Sequence, residues 1–300
     1  MLERKASIII PTGHRPGALS ECLRSLGRLA PENEIIVIGE KEDHPTRRII
    51  SENFPSIKYL EADQSSAVAK RNLGIAEASN EILVFIDDDV VIGDGWLAML
   101  LMHYEDPSVG GVGGRVRILV RGSESRTYGT GVVKDGFVIA NWDVESASAF
   151  EVEHLPGCNM SFRRTLVLQV HGFDNVFRSF NFREETDLCF RVRKLGYRLI
   201  FEPMGSLTHL ALGQRSIGLR WTYFYVRNTL YLYLKYQFRR GFSLTRFLKY
   251  LFFPPKEYVI HSGVRVKVSP LTPLVATAGL VAGFLGYLAD ERAEPTLDAR

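Results

Sequence analysis

Three carboxylates in a row, Asp87-Asp88-Asp89, follow directly on the apolar run Ile82-Leu83-Val84-Phe85-Ile86. Taking a carboxylate out of water is costly unless a cation or hydrogen-bond donors offset the loss. An acidic run at the end of so apolar a stretch therefore points to a cation site. Residues two apart on an extended chain share a side, so Asp87 and Asp89 can converge on one ion. Hard oxygen donors suit Mg²⁺ or Mn²⁺, typically held by one or two carboxylates together with substrate phosphates. A solvated acidic turn would carry the same residues, and the spacing alone leaves both readings open. A second acidic group, Glu184, Glu185 and Asp187, precedes the stripe Leu188, Val192 and Leu195. The positive end of a helix favours anions in its first turn, and Asp187 with Arg191 at i+4 is most simply a structural pair.

These groups need elements to hold them. Ser7-Ile8-Ile9-Ile10 reads as a short buried strand stopped by Pro11-Thr12-Gly13, and a helix follows from about Pro16 with Leu19, Cys22, Leu23, Leu26 and Leu29 at helical spacing. Glu34 to Ile38 is a second strand and Ile57 to Leu60 a third, and a helix from Ser65 to Ser79 delivers the chain to the acid-tipped strand. Strands alternating with helices indicate a doubly wound, parallel sheet, which binds ligands at the carboxyl ends of its strands. The first 110 residues thus form a nucleotide-binding type of half-domain.

Gly110-Gly111-Val112-Gly113-Gly114 lacks the G-x-G-x-x-G spacing and leads into the β-like run Arg115 to Val120, so it reads as a flexible entry to a strand. Tyr128 to Trp142 suggests a hairpin turned at Lys134-Asp135-Gly136. Pro156 to Ser161 reads as a loop, followed by a short helix that ends before Gly172-Phe173-Asp174. A helix spans Glu184 to Leu195, Gly196 to Phe201 returns as a strand, and Leu207-Thr208-His209 ends a separate short run after Pro203-Met204-Gly205.

Beyond Gln214 the composition shifts, with Trp221, Tyr223, Phe224, Tyr225, Tyr231, Tyr233, Tyr236 and Phe238 interleaved with Arg220, Arg227, Lys235, Arg239 and Arg240. That mixture favours a membrane interface with anionic headgroups; a helix packed on the domain with a snorkelling basic edge would show it too. Leu271 to Ala289 carries no charge and contains the small-xxx-small pattern of Gly279 and Gly283. Its length just reaches the roughly 20 residues of a membrane span, so a transmembrane segment and a packed helix both fit. Glu291 to Arg300 is a polar tail.

At 300 residues, 46% hydrophobic and 24% charged, the chain can build a sizeable core. A net charge of +3 is too small to imply nucleic acid. Three widely spaced cysteines, Cys22, Cys158 and Cys189, give neither zinc spacing nor a disulfide framework. That cysteine pattern fits a reducing, cytoplasmic compartment best, and Met1-Leu2-Glu3-Arg4-Lys5 leads into a short strand instead of a long apolar run, which speaks against a signal peptide.

Taken in order, Ile10-Pro11-Thr12, Ala69-Lys70-Arg71-Asn72-Leu73-Gly74, Asp87-Asp88-Asp89, Gly157-Cys158-Asn159-Met160, Gly172-Phe173-Asp174 and Glu184-Glu185-Thr186-Asp187-Leu188, with Arg191 and Gly196-Tyr197, carry a resemblance. They are similar to the motifs of glycosyltransferase family 2, a large inverting family with the GT-A fold, from about Ala6 to His209. The resemblance implies an α/β fold of GT-A type, a doubly wound and mainly parallel sheet in a domain 1–212. Its nucleotide-binding, Rossmann-like half is 1–110 and its acceptor half 111–212, followed by a C-terminal helical extension 213–290 and the tail 291–300.

The same resemblance implies a hexosyltransferase-type enzyme. A nucleotide-diphosphate-sugar donor would lie over the first half, its base near Pro11 and Thr12. Arg71 would meet the nucleotide or its diphosphate, Asp87 the ribose, and Asp88 would stand beside the donor. Asp89, with Asp87 and His209, would ligate Mg²⁺ or Mn²⁺. A carboxylate base would serve an acceptor hydroxyl on a glycan or lipid-linked molecule, in polysaccharide, glycolipid or glycan assembly. Glu184 matches the family's Glu, and Glu185 stands where Asp is more usual; Glu185, Glu184 and Asp187 are the candidates, with Glu185 the expected base. After the second strand the family commonly carries an Asp, whereas this chain has Gly39 followed by Glu40, which can substitute. The expected setting is peripheral, on the inner face of the cell membrane. A sugar nucleotidyltransferase and a non-catalytic, membrane-associated nucleotide-sugar-binding protein are the competing readings.

Overall fold

A computed structural model describes residues 5–118, 130–134, 137–139, 142–177, 182–210, 216–236, 243, 245, 248–249, 265–266 and 271–291. The turn at Asp135-Gly136, the end of the Arg115–Val120 run, part of the stretch beyond Tyr236, residues 1–4 and the tail past Glu291 lie outside the described residues. The chain divides into two compact units, Met1–Val132 with Ala140–Gly213, and Val133–Ile139 with Gln214–Arg300.

In the first unit, β1 (Ala6–Pro11) is buried at every position because both of its faces are covered. It pairs in parallel with β2 (Glu34–Glu40) on one side and β4 (Ile82–Ile86) on the other, while β3 (Lys58–Ala62) adds in parallel to β2. The crossovers are α1 (Pro16–Leu29), which opens with proline at its first turn, α2 (His44–Asn53) and α3 (Ala67–Glu77). Asp43 and Ser66 cap α2 and α3 by accepting from the Thr46 and Ala69 amides, which satisfies donors the helices leave orphaned.

Two short elements follow the acidic run, β5 (Val90–Ile92) and α4 (Trp96–Leu101). Beyond them the sheet continues with β6 (Val109–Ile118), and the short ladder of β7 (Val132–Lys134) with β8 (Phe137–Ile139) supplies the strands of the expected hairpin. Then come β9 (Phe150–Val152), β10 (Asn159–Arg163), α5 (Arg164–Gln169), α6 (Glu184–Lys194) and β11 (Arg198–His209). The nine-stranded sheet runs β3-β2-β1-β4-β10-β6-β11-β5, with β9 on β11. β10 lies antiparallel between β4 and β6, β11 is parallel to β6, and β5 and β9 run against β11.

Three expectations change here. The glycine run is not an entry to a strand but part of β6 itself. A Cβ on Gly111 would lie 2.6 Å from the Phe162 ring and one on Gly113 2.7 Å from Pro156 Cδ, so neighbouring side chains occupy the space that larger residues would need. Asn159-Met160-Ser161, read as loop, begins β10; Ser161 Oγ donates to Val112 O at 2.9 Å and accepts from Tyr104 Oη at 2.8 Å. Leu207-Thr208-His209 is no separate run. Strand β11 continues through Pro203-Met204-Gly205 with a register shift between Glu202 and Leu207. A proline inside a strand is tolerated at such irregularities, and the uninterrupted strand carries His209 to the carboxyl edge of the sheet.

In the second unit, a two-residue parallel ladder joins β12 (Ser216–Ile217) to β13 (Arg265–Val266), and α7 (Leu219–Tyr236) packs on α8 (Thr272–Glu291). The small-xxx-small pattern is the contact: a Cβ on Gly279 would stand 2.7 Å from Tyr223 O, and one on Gly283 2.6 Å from Arg227 O. Tyr231 and Tyr233 are buried, and Tyr231 Oη donates to Asp290 Oδ2 at 2.6 Å. The other α7 aromatics, Trp221, Tyr223, Phe224, Tyr225 and Tyr236, are half-buried. The outward face of α8 is the apolar one: Leu274 is 68% exposed, Val281 55% and Leu285 58%. Thr272–Asp290 has a mean hydropathy of 1.6 and is long and apolar enough to cross a membrane.

Candidate active site

The site forms where β4 ends. Asp88 and Asp89 are buried, at 0% and 2% exposure, and Asp87 is half-buried. Thr12, one residue past β1, donates from Oγ1 to Asp88 Oδ2 at 2.7 Å. Arg15 reaches across from the start of α1, with Nη2 2.5 Å from Asp88 Oδ1 and Nη1 2.6 Å from Asp89 Oδ2. His14, which positions it, holds a φ of +54°, a conformation that costs a non-glycine residue on the order of 1 kcal/mol and collects at functional sites. Burial and the charges of Asp89 and Asp87 push the Asp88 carboxyl up to about 6, against the Thr12 hydrogen bond and Arg15.

His209 enters from the end of β11, fixed because Leu210 N donates to Asp89 O at 2.8 Å. Its Nε2 lies 3.4 Å from Asp89 Oδ1 and 3.7 Å from Asp87 Oδ2. Burial raises the Asp87 pKa; the His209 hydrogen bond and the charges of Arg71, His209 and Arg15 outweigh it and hold the carboxyl below its ordinary value. Asp87, His209 and Cys158 each present one ligand atom, all within 4.8 Å of one another. Two carboxylates and an imidazole converging at a strand end are a donor set suited to a divalent cation.

Arg71, on the inner face of α3, is the hub. Nη1 donates to Glu184 Oε1 at 2.8 Å, and Nη2 donates to Asp87 Oδ1 and to Gly157 O, both at 3.2 Å. Its guanidinium also sits 5.5 Å from the Phe173 ring centroid. Burial disfavours its charge, and Glu184, Asp87 and Glu185 together overcome that, so its pKa rises.

The acids of α6 divide. Arg183, at φ +78°, turns the chain into the helix. Glu184 is 3% exposed, and burial with the charge on Glu185 pushes its pKa up while Arg71 opposes. Asp187 is fully buried and pairs with Arg191 at 2.8 Å. Glu185 is half-buried, accepts from Thr186 Oγ1 at 3.3 Å, and lies beside Gly157, where a Cβ would be 3.5 Å from its Cγ.

On the far side of Thr12, Pro11 pairs in register with Ile38. Lys70 Nζ donates to Thr12 O at 2.6 Å and to Glu40 Oε1 at 2.7 Å. Glu40 is therefore held by Lys70. The space a side chain at Gly39 would take is filled by the Tyr59 phenol, whose pKa burial and nearby carboxylates push up to about 12.

The structure thus brings Thr12, Arg71, Asp87, Asp88, Asp89, His209 and Glu184 into one network, with Glu185 at its rim and Glu40, the last residue of β2, tied to it through Lys70. Asp187 turns away onto Arg191. Arg15, Lys70 and Cys158 were not singled out by the sequence reading. Lys70 adjoins Arg71 and Cys158 sits inside a quoted motif, so position hinted at both; for Arg15 the hint was a cation placed just past the first strand.

Residues 7–167 match Glycosyl transferase family 2. The chain belongs to glycosyltransferase family 2. It is 28% identical over 211 residues to the pre-mycofactocin glycosyltransferase of Mycobacterium tuberculosis (strain ATCC 25618 / H37Rv), covering 69% of this chain and 43% of that protein. It is 25% identical over 214 residues to the probable glycosyltransferase YdaM of Bacillus subtilis (strain 168), covering 66% of this chain and 49% of that one. The family 2 chain therefore spans about half the length of the curated relatives it matches. Among solved structures it superposes on GalNAc-T7 with UDP, GalNAc and Mn²⁺ at a TM-score of 0.66 and 13% identity, covering 97% of this chain and 58% of the other. It superposes on the mannosyltransferase PcManGT from Pyrobaculum calidifontis in complex with GDP-Man and Mn²⁺ at 0.58 and 16%, covering 99% and 77%. The fold of this family 2 member is the α/β GT-A fold.

The buried Arg71–Glu184 pair makes a stability test. Arg71→Leu leaves Glu184 buried without its cation and is expected to lower unfolding stability by about 3–5 kcal/mol. Adding Glu184→Leu should restore part of the loss, the Asp87 and Gly157 contacts of Arg71 still being absent, measured by urea unfolding. Equal stability of the single variant and the wild type would mean the pair carries no such weight.

Proposed function

We propose that the chain is an inverting glycosyltransferase that moves a sugar from a nucleotide-diphosphate-sugar onto an acceptor hydroxyl with the help of Mg²⁺ or Mn²⁺. The observation that carries this is the convergence of Asp87, Asp89 and His209 at the sheet edge, with a half-buried carboxylate, Glu185, at the start of α6. The two solved neighbours, which hold Mn²⁺ with UDP or GDP-Man, support the reading.

Asp89, Asp87 and His209 would hold the cation, which supplies Lewis-acid stabilisation of the departing nucleoside diphosphate. Arg15 occupies the Asp88 and Asp89 carboxylates; it would have to yield Asp89 to a divalent cation, and its guanidinium would then be available to a diphosphate. Pro11, Thr12 and the Lys70–Glu40 pair border the nucleoside, and Asp88, locked by Thr12, fixes the acidic turn. Arg71 aligns Asp87 with Glu184 and keeps the donor edge rigid. Glu184 is committed to Arg71 and Asp187 to Arg191. Glu185 then remains to take the proton of the acceptor hydroxyl on the face opposite the leaving group, as inversion by direct displacement requires. The acceptor class is a glycan or lipid-linked hydroxyl.

The outward face of α8 gives the setting. Large exposed apolar residues on one side of a helix mark an interaction surface, and we assign it to the inner face of the cell membrane. Replacing Leu274, Val281 and Leu285 together with serine should abolish co-flotation of the full chain with anionic vesicles. Undiminished flotation of that variant would refute the assignment.

Two substitutions test the chemistry. Asp89→Ala should eliminate transfer and the Mn²⁺-dependent part of nucleoside diphosphate affinity, read by calorimetry with and without chelator; normal metal-dependent affinity would disprove the cation site.

Glu185→Gln is nearly isosteric and cannot accept a proton. Turnover should fall by about 10²–10⁴-fold, with donor affinity unchanged because the donor lies on the other half of the site. Normal turnover in Glu185→Gln with a dead Glu184→Gln or Asp187→Asn would reassign the base.

A further inference from the structure

Cys158 has no part in the chemistry above, yet its sulfur lies with the Asp87 carboxylate and the His209 imidazole, all three ligand atoms within 4.8 Å of one another. It precedes β10 directly, beside Gly157, whose carbonyl accepts from Arg71, so its backbone is anchored to the same hub as Asp87. Burial and the charges of Asp87 and Asp89 push its thiol pKa well above the ordinary value.

We infer that Cys158 is a third ligand at this centre, making Asp87, His209 and Cys158 a site for a borderline or soft divalent ion such as Zn²⁺, Co²⁺ or Cd²⁺. The inference rests on the proposed cation site at Asp87 and His209. Carboxylate, imidazole and thiolate together are a zinc-type donor set, whereas Mg²⁺ and Mn²⁺ favour oxygen. Metal bonds of about 2.0–2.3 Å place tetrahedral ligand atoms about 3.5 Å apart. Asp87 Oδ2 and His209 Nε2 are 3.7 Å apart already, so closure asks only that the Cys158 sulfur, within 4.8 Å of both, draw nearer. Binding forms one metal–sulfur bond and breaks the S–H bond, the proton passing to solvent. Asp89 Oδ1, 3.4 Å from His209 Nε2, borders the fourth position.

The two kinds of ion differ in what they require. Mg²⁺ and Mn²⁺ at such a centre draw on donor phosphates for part of their coordination. A thiol-accepting ion is satisfied by the protein alone and occupies the nucleotide-free site. Zn²⁺ is therefore an inhibitor competing with the working cation, and Cys158 sets that sensitivity.

The test titrates the full, nucleotide-free chain with Co²⁺ and follows sulfur-to-cobalt charge-transfer absorption, with calorimetry in parallel. The band should appear in the wild type, be erased by Zn²⁺, and be absent in Cys158→Ser, whose Zn²⁺ affinity should drop by at least about tenfold. Co²⁺ binding without the band, or a band that survives in Cys158→Ser, overturns the assignment. Should the variant fail to fold, alkylation of Cys158 in the wild type decides instead. Zn²⁺ should slow it at least about tenfold while buried Cys22 and Cys189 serve as references; unslowed alkylation at saturating Zn²⁺ overturns the assignment. If Mn²⁺ with nucleoside diphosphate also fails to bind, the underlying cation site falls as well; if Mn²⁺ binds normally, only the role of Cys158 does.

Discussion

A single buried guanidinium ties this site together. Arg71 is drawn from α3 to a carboxylate at the tip of β4, to a carbonyl ahead of β10 and to the first residue of α6. An unpaired charge at that depth would be strongly unfavourable, so Asp87, Gly157 and Glu184 are constrained to arrive together. The end of β4 and the start of α6 are thereby set at a fixed spacing by one side chain. Placement of the remaining acids follows: with Glu184 committed inward, the helix rotation of about 100° per residue turns Glu185 toward the rim.

The same logic separates what the sequence could disclose from what it could not. β1 and β4 are legible because continuous apolar runs flanked by turn signals have few other uses. Asp87 to Asp89 stand out because acids after such a run need a partner. The glycines of β6 do not read as strand, since glycine has low strand propensity; their place is dictated by Phe162 and Pro156, far away in sequence. Likewise Asn159 to Ser161 look like loop until Val112, Tyr104 and Trp96 supply partners for their polar atoms. The continuity of β11 through Pro203 is a property of its neighbours β6 and β5 and not of its own residues.

The C-terminal unit inverts the usual arrangement of a soluble helix pair. Glycines face inward on α8 and leucines outward, so backbones approach closely while large apolar groups stay exposed. Close packing through small residues draws on van der Waals contact and does not need water to drive it. An association of that type is as compatible with a hydrocarbon surround as with an aqueous one.

Gly39 and Tyr59 divide one volume between two positions. The phenol stands in the space a side chain at 39 would need, across the β2–β3 pairing. An acid at 39 cannot enter while the ring is there, and a small residue at 59 with glycine at 39 would leave a void. The two positions can therefore exchange character only together, or by way of a cavity-bearing intermediate with a shrunken residue 59. A change at either site alone runs uphill, so this edge of the β2–β3 pairing is held in its present form by steric epistasis.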